Sequence, residues 1–466
     1  MSRSLSGTFE GSKTLVTLSV PIILSQLAQI AASVVDVVMA GRIGPLELGS
    51  ISTGAALWSP MMIFLLGMLY VLTPMTGLLM GQQRENQIRS LAAQGVVLGL
   101  LVALILGSAL YFGAGPLFSL ANVSADLVPG AVSYARIVAL AFPGLALFLT
   151  FRFLLEASGG AFLVTLSMVA GIILKIVLNH ALVFGRFGLP ALGIDGFAVS
   201  TVIVFWAMAV ILLAMILGIP RFRYLKPGIT TRSQLAPSRM FELARKGLPI
   251  ALSFLSDYLV MAVVILFIAT ISPVAVSSHQ IVFNIISVLL MITTGIGMAG
   301  TITVSGALGS LNPVRVRQAA AHCLVVSILT ALAISVVLGL FGDTLVRIYS
   351  HDARIHDQAG TVIRVAALLF TVNVAAITLG FILRGMAHPG TPLVIMAAAH
   401  WGISIPLGYL LAETSVLTPP LGLIGWWYGL FTGVILATPV LAWRVFAVLA
   451  NPFSSRATQR GGNPFQ

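Results

Sequence analysis

The chain of 466 residues is 58% hydrophobic and 8% charged, with a mean hydropathy of +1.06 and a formal net charge of +12. That hydropathy excludes a soluble globular protein of average composition and describes an integral membrane protein with room for about twelve spans of about 20 residues each and no separate soluble domain. The single cysteine, Cys323, excludes an internal disulfide and a thiolate metal cluster, and in a membrane protein the siting of the basic residues carries more meaning than their sum, so the charge does not imply nucleic acid.

The first residues are polar, and the apolar run after them is too long for a signal-peptide core and lacks a small-residue cleavage pattern, so the first helix is expected to be retained. Apolar runs bounded by polar, Gly or Pro breaks predict helices at 14–40, 50–80, 91–115, 129–156, 161–186, 192–219, 239–270, 275–308, 316–343, 357–385, 391–414 and 422–449. The loops after even-numbered helices carry Arg84, Arg89, Arg152, the basic residues from Arg221 through Arg232 to Lys246, Arg315, Arg317 and Arg384; the remaining loops carry only Arg42, Arg186, Arg347 and Arg354. The positive-inside bias therefore predicts a multi-pass protein of the inner (plasma) membrane with both termini cytoplasmic.

The two halves match at a constant offset of 228 residues. Pro21 falls on Pro249, Gly81 on Gly309, Arg136 on Arg364 and Leu155-Glu156 on Leu383-Arg384, and the stretch from Leu192 to Gly196 falls on Leu421 to Gly425 at an offset of 229. One register held over six helices indicates a duplication. The expected fold is all-α: twelve transmembrane helices in two pseudo-symmetric six-helix bundles, 1–219 and 248–466, joined by a basic cytoplasmic linker, 220–247. Six is even, so both bundles share one orientation, with a substrate cavity expected between them and alternating access by rocking of one against the other.

Few full charges fall in the apolar cores. Asp36 lies in the first helix, where an unpaired acid costs about 2.5–3.5 kcal/mol on insertion scales, so it needs a partner, a cavity or a proton. Lys175 and Asn179 are one turn apart on the fifth helix and share a face. Lys175 either pairs with Asp36, the intramembrane acid of the same half, or snorkels to a surface. Asp257 follows Ser253 and Ser256 about eight residues into the seventh helix, deep enough to expect desolvation of its carboxylate; the alternative is a structural Asp bonded to a facing helix. Arg136 and Arg364 lie near the outer ends of their helices and are expected to snorkel. His279-Gln280 opens a run with Asn284 on the same face, and Tyr258 is one of several aromatic and Met residues that line a cavity or simply pack helices. The seven His show no metal spacing, and no phosphate loop, nucleophile elbow or zincin motif appears, so neither a catalytic site nor a metal or organic cofactor is expected.

Four stretches on this 6+6 repeat are distinctive: VVDVVMAGRIG in the first helix, LNHALVFGRFGLPALGIDG after the fifth, SSHQIVFN entering the eighth and LRGMAHPGTP between the tenth and eleventh. Together they resemble the multidrug and toxic compound extrusion (MATE) family, NorM-like bacterial branch, over nearly the whole chain. The resemblance implies export of amphipathic, often cationic organic compounds in exchange for protons or sodium ions. It assigns Asp36 as the acid of the N-terminal cation site, Asn179 and Thr201 as polar residues facing it, and Asp257 as the seventh-helix carboxylate, usually Glu. Two positions depart from it. Asn373 stands where relatives of this branch carry an Asp, and Lys175 where many carry Asn. An ammonium beside Asp36 repels or replaces Na⁺, and a lone Asp257 offers too few oxygens for a hard cation. Coupling to protons is therefore expected over coupling to sodium. The alternatives are a dedicated exporter of a metabolite or siderophore, or a flippase for a lipid-linked precursor, the latter needing more cavity Arg and Lys than the sequence offers. The expected partners are small organic substrates and the lipid bilayer, and a monomer contains both halves of a cavity.

Overall fold

The computed structural model describes residues 2–188, 190–228, 237–416 and 418–453, without the side chains of 2–12. Residues 229–236 of the expected linker, Arg232 among them, and the last thirteen residues lie outside the described residues. The described chain is helical, with no strand. Its spans are α1 (Ser2–Ala40), α2 (Pro45–Gly81), α3 (Glu85–Leu120), α4 (Val128–Ala139 and Ala141–Ala157), α5 (Ala161–Leu182), α6 (Ile194–Gly218), α7 (Pro237–Ile271), α8 (Pro273–Gly309), α9 (Pro313–Tyr349), α10 (Ala353–Gly385), α11 (Gly390–Ala412) and α12 (Leu423–Ala450). Eleven are long and apolar enough to cross a membrane singly, and the two pieces of α4, bent by 45°, make a twelfth when taken as one span. Within residues 220–247, Pro220–Leu225 forms a 3₁₀ turn and α7 starts at Pro237.

The helix starts follow from local chemistry. Pro273 and Pro313 occupy first-turn positions, where a missing N–H costs nothing. Ser272 Oγ accepts from Ala275 N at 3.1 Å, and Asn312 Oδ1 accepts from Val314 N at 3.0 Å and Arg315 N at 3.2 Å. Asp352 caps α10 through Arg354 N at 2.8 Å, and the hydrogen bonds from Arg354 hold its exposed carboxyl below the ordinary carboxylate range.

The chain divides into two compact units, one of Leu24–Ala251 and one of Met1–Ile23 with Leu252–Gln466. The first has its core around Leu65, Leu69, Phe142, Phe153 and Phe197; the second is built on Val264, Ile285, Phe370 and Trp426. The duplication is visible in their backbones. Gly193 (φ 55) and Gly422 (φ 58), 229 apart, set the same left-handed turn before α6 and α12, a conformation that favours glycine. Gln83 and Leu311 (φ 58 and 54) repeat at an offset of 228, as do Gly159 and Ala387 (φ 79 and 63). Three residues into α6, a Cβ on Gly196 would lie 2.9 Å from Val183 N; at the matching place in α12, one on Gly425 would lie 2.8 Å from Ala412 N.

The α11–α12 crossing extends this close approach. Gly425, Gly429 and Gly433 form a stripe four residues apart, the small-residue pattern that lets membrane helices touch backbone to backbone. A Cβ on Gly429 would fall 2.4 Å from Gly408 Cα. Two basic residues assigned from sequence to cytoplasmic loops lie inside the fold instead. Arg152 and Arg384 are buried, on α4 and α10. Gly429→Ala is expected to lower the unfolding free energy by about 1–3 kcal/mol through overpacking. Gly339→Ala, inside α9 with nothing within 4 Å of its new methyl, should not lower it and should raise it by up to about 1 kcal/mol, and melting temperatures of the two purified variants check this.

Candidate functional site

In the first unit, α1, α5 and α6 converge on Asp36. The i, i+4 spacing of Lys175 and Asn179 sets both side chains on the α5 face that meets α1. Lys175 Nζ lies 2.9 Å from Asp36 Oδ2 and donates to Thr201 Oγ1 at 2.8 Å. Asn179 Nδ2 donates to Asp36 Oδ1 at 2.9 Å, and Ser200 Oγ donates to Asn179 Oδ1. Of the two routes open to Lys175 in the sequence, the structure takes the ion pair. Its side chain is 7% exposed and that of Asp36 19%, so the pair is largely desolvated and depends on these extra hydrogen bonds. Higher in α1, the hydroxyls of Ser25 and Thr165, 3.0 Å apart, tie α1 to α5 again.

The pair borders a cavity of about 250 Å³ within this unit. Apolar and aromatic side chains, including Trp58, Phe148 and Phe205, form most of its wall. Its other lining charge is Arg152. Arg152 Nε donates to Glu156 Oε1 at 2.8 Å, with exposures of 1% and 0% for the two side chains. Its remaining nitrogens donate to Gln26 Oε1 at 2.5 Å and Gln29 Oε1 at 3.3 Å. Glu156 is absent from the cavity lining, so the counter-charge of Arg152 lies behind the wall.

The second unit is arranged differently. The desolvation expected at Asp257 is not found, since 46% of its side chain is exposed. His400 Nδ1 lies 3.5 Å from Asp257 Oδ1, and one residue along each helix Trp401 Nε1 donates to Ser256 Oγ at 2.9 Å. His400 opens a π-helical turn, His400–Ser404, inside α11, a distortion common at functional sites. His279 and Asn284 do not share a face as expected. His279 is buried against Phe283 and Trp427, whereas Gln280 and Asn284 are exposed one turn apart, and Tyr349 Oη donates to Asn284 Oδ1 at 3.1 Å. Tyr258 and Asn373 are half-buried, and among the described residues no hydrogen bond joins either to Asp257. Among the described residues no group of three or more His, Cys, Asp or Glu side chains is placed to hold a metal ion.

The family model for MatE matches this chain twice, over residues 21–181 and 249–410. The chain belongs to the MatE family. Both matches start at the prolines that open the internal repeat. The probable multidrug resistance protein NorM of Pasteurella multocida (strain Pm70) is 29% identical over 441 residues, covering 95% of each chain. The multidrug resistance protein MdtK of Yersinia pseudotuberculosis serotype O:1b is 29% identical over 439 residues, covering 93% of this chain and 95% of its own. Among solved structures, the eukaryotic MATE transporter AtDTX14 superposes with a TM-score of 0.84 at 20% identity over 97% of this chain and 98% of its own. The outward-facing conformation of a multidrug resistance MATE family transporter of the MOP superfamily gives 0.85 at 18% identity over 96% and 97%. These likenesses establish the twelve-helix MATE fold.

Among the residues of the two sites that sequence reasoning about this MatE chain missed are Arg152, Glu156, Ser200 and His400. Arg152 and Glu156 carried a usable signal, an i, i+4 charge pair inside an apolar run, but their place at a helix end disguised it as loop charge. His400, alone in an apolar stretch, carried none. The Asp36–Lys175 pair yields a thermodynamic test. Asp36→Asn and Lys175→Met each strand a desolvated partner and should destabilise the protein more than the double variant's cost implies, leaving a coupling of about 0.5–3 kcal/mol in a double-mutant cycle of unfolding free energies. Simple additivity would contradict the pairing.

Proposed function

We propose that the protein exports amphipathic organic compounds across the inner membrane by alternating access, driven by inward movement of protons. The NorM and MdtK names of its relatives support multidrug efflux, and the twelve-helix fold supports secondary transport. The observation that carries the choice of proton over sodium is the Lys175 ammonium within 2.9 Å of Asp36 and 2.8 Å of Thr201. A sodium ion at Asp36 would have to displace a cation tethered to the neighbouring helix, whereas a proton binds the carboxylate directly. Protonation removes the charge that holds Lys175 and so loosens the α1–α5 contact at Asp36, giving the two-state element that coupling requires. Asp257 with His400 is a second acid and base in the other unit through which a proton can pass.

Efflux of a fluorescent compound from proteoliposomes, with proton and sodium gradients imposed separately, tests this reading. An inward-directed proton gradient should drive efflux by the wild type, and a sodium gradient at constant pH should not. Asp36→Asn and Asp257→Asn should each lose the gradient-driven component while remaining folded. Sodium-driven efflux by the wild type would overturn the proton assignment.

A further inference from the structure

We infer that the cavity beside Asp36 takes uncharged aromatic amphiphiles and rejects organic cations, because its carboxylate is already neutralised by Lys175. The inference rests on reading this cavity as a substrate site and narrows the substrate class expected there. An apolar cavity attracts an organic cation through an uncompensated carboxylate, whose field is strong where water is sparse. Here Asp36 is the one carboxylate in the wall, and both of its oxygens are engaged, Oδ2 by Lys175 and Oδ1 by Asn179. The other wall charges are both positive, Lys175 and Arg152, and the partner of Arg152, Glu156, stands behind the lining.

A cation entering this space therefore meets Lys175 balanced by Asp36 and Arg152 balanced by Glu156, with no unpaired negative charge to offset the hydration it leaves behind. An uncharged aromatic compound meets the opposite balance. The rings of Trp58, Phe148 and Phe205 and the thioethers of Met168 and Met208 offer an adaptable apolar surface, and the lining hydroxyls of Ser52 and Tyr134 are polar groups that can meet a ligand oxygen. Selection against cations is thus set by Lys175 rather than by cavity shape, and removing that ammonium should reverse it.

The test is equilibrium binding to purified protein in lipid nanodiscs with no gradient, using phenyltrimethylammonium and its uncharged isostere tert-butylbenzene. Ala55→Trp, which fills the cavity wall, serves as the blank for partition into lipid. Wild-type protein should bind tert-butylbenzene above the blank and phenyltrimethylammonium no better than it. Lys175→Asn should bind the cation at least about tenfold more tightly than the wild type, or ~1.4 kcal/mol, and the double variant Asp36→Asn/Lys175→Asn should lose that gain. A merely structural role for Lys175 would weaken tert-butylbenzene binding in Lys175→Asn with no gain for the cation. Wild-type binding of the cation as tight as that of the isostere, or no gain in Lys175→Asn, would overturn the inference while leaving the cavity a binding site. Binding of neither probe above the blank would overturn the substrate-site reading as well.

Discussion

The ammonium of Lys175 closes over the carboxylate of Asp36, and the chemistry of the first unit depends on that contact. An isolated charge of either sign inside a membrane helix is expensive, and two together are tolerable only when the geometry is good and the remaining donors and acceptors are met. Here they are met in a chain: Thr201 accepts from Lys175, Asn179 donates to Asp36, and Ser200 donates back to Asn179. Three helices, α1, α5 and α6, each supply members, so moving any one helix disturbs the charge balance of the whole network.

The two halves of the chain share backbone devices more faithfully than side-chain chemistry. Left-handed turns recur at Gly193 and Gly422 and at Gln83 and Leu311, and the tight glycine contacts at Gly196 and Gly425 recur in register, because helix crossings and caps allow few alternatives. The charges diverge. Glu156 pairs with Arg152, whereas at the matching position Arg384 donates to Ser253 Oγ at 3.0 Å and lies over the rings of Phe254 and Phe381. The acid–base contact between first and fifth helices is Asp36 with Lys175 in one repeat; between seventh and eleventh it is Asp257 with His400 in the other, at different levels of the repeat. Duplication preserved the scaffold, and the polar groups within it took separate roles.

Much of this was legible in the sequence. Twelve spans follow from apolar runs of membrane length, the repeat from a constant offset, and the facing of Lys175 and Asn179 from helical periodicity. What periodicity does not encode is which neighbouring helix a face meets. Sequence therefore left Lys175 between an ion pair and a surface, and it set His279, Gln280 and Asn284 on one face although His279 turns inward against Phe283 and Trp427. Burial of Asp257 was overestimated for the same reason: depth along a helix is readable from sequence, but exposure to an internal space is a property of the packed helices. Arg152 and Arg384 show the complementary limit. Positive charge near a helix end reads as loop: the partner of Arg152, Glu156, was readable one turn along the same helix, whereas that of Arg384, Ser253, appears only in the tertiary packing.

The most direct test of the central claim, that a tethered ammonium occupies the place of a cation at Asp36, is the sodium dependence of thermal stability at constant ionic strength. A ligand that binds only the folded state raises the melting temperature as its concentration rises. The wild type should show no difference between sodium and an equal concentration of choline, and Lys175→Asn a sodium-specific rise that Asp36→Asn in the same background removes. A sodium-specific rise in the wild type, lost on Asp36→Asn, would contradict it.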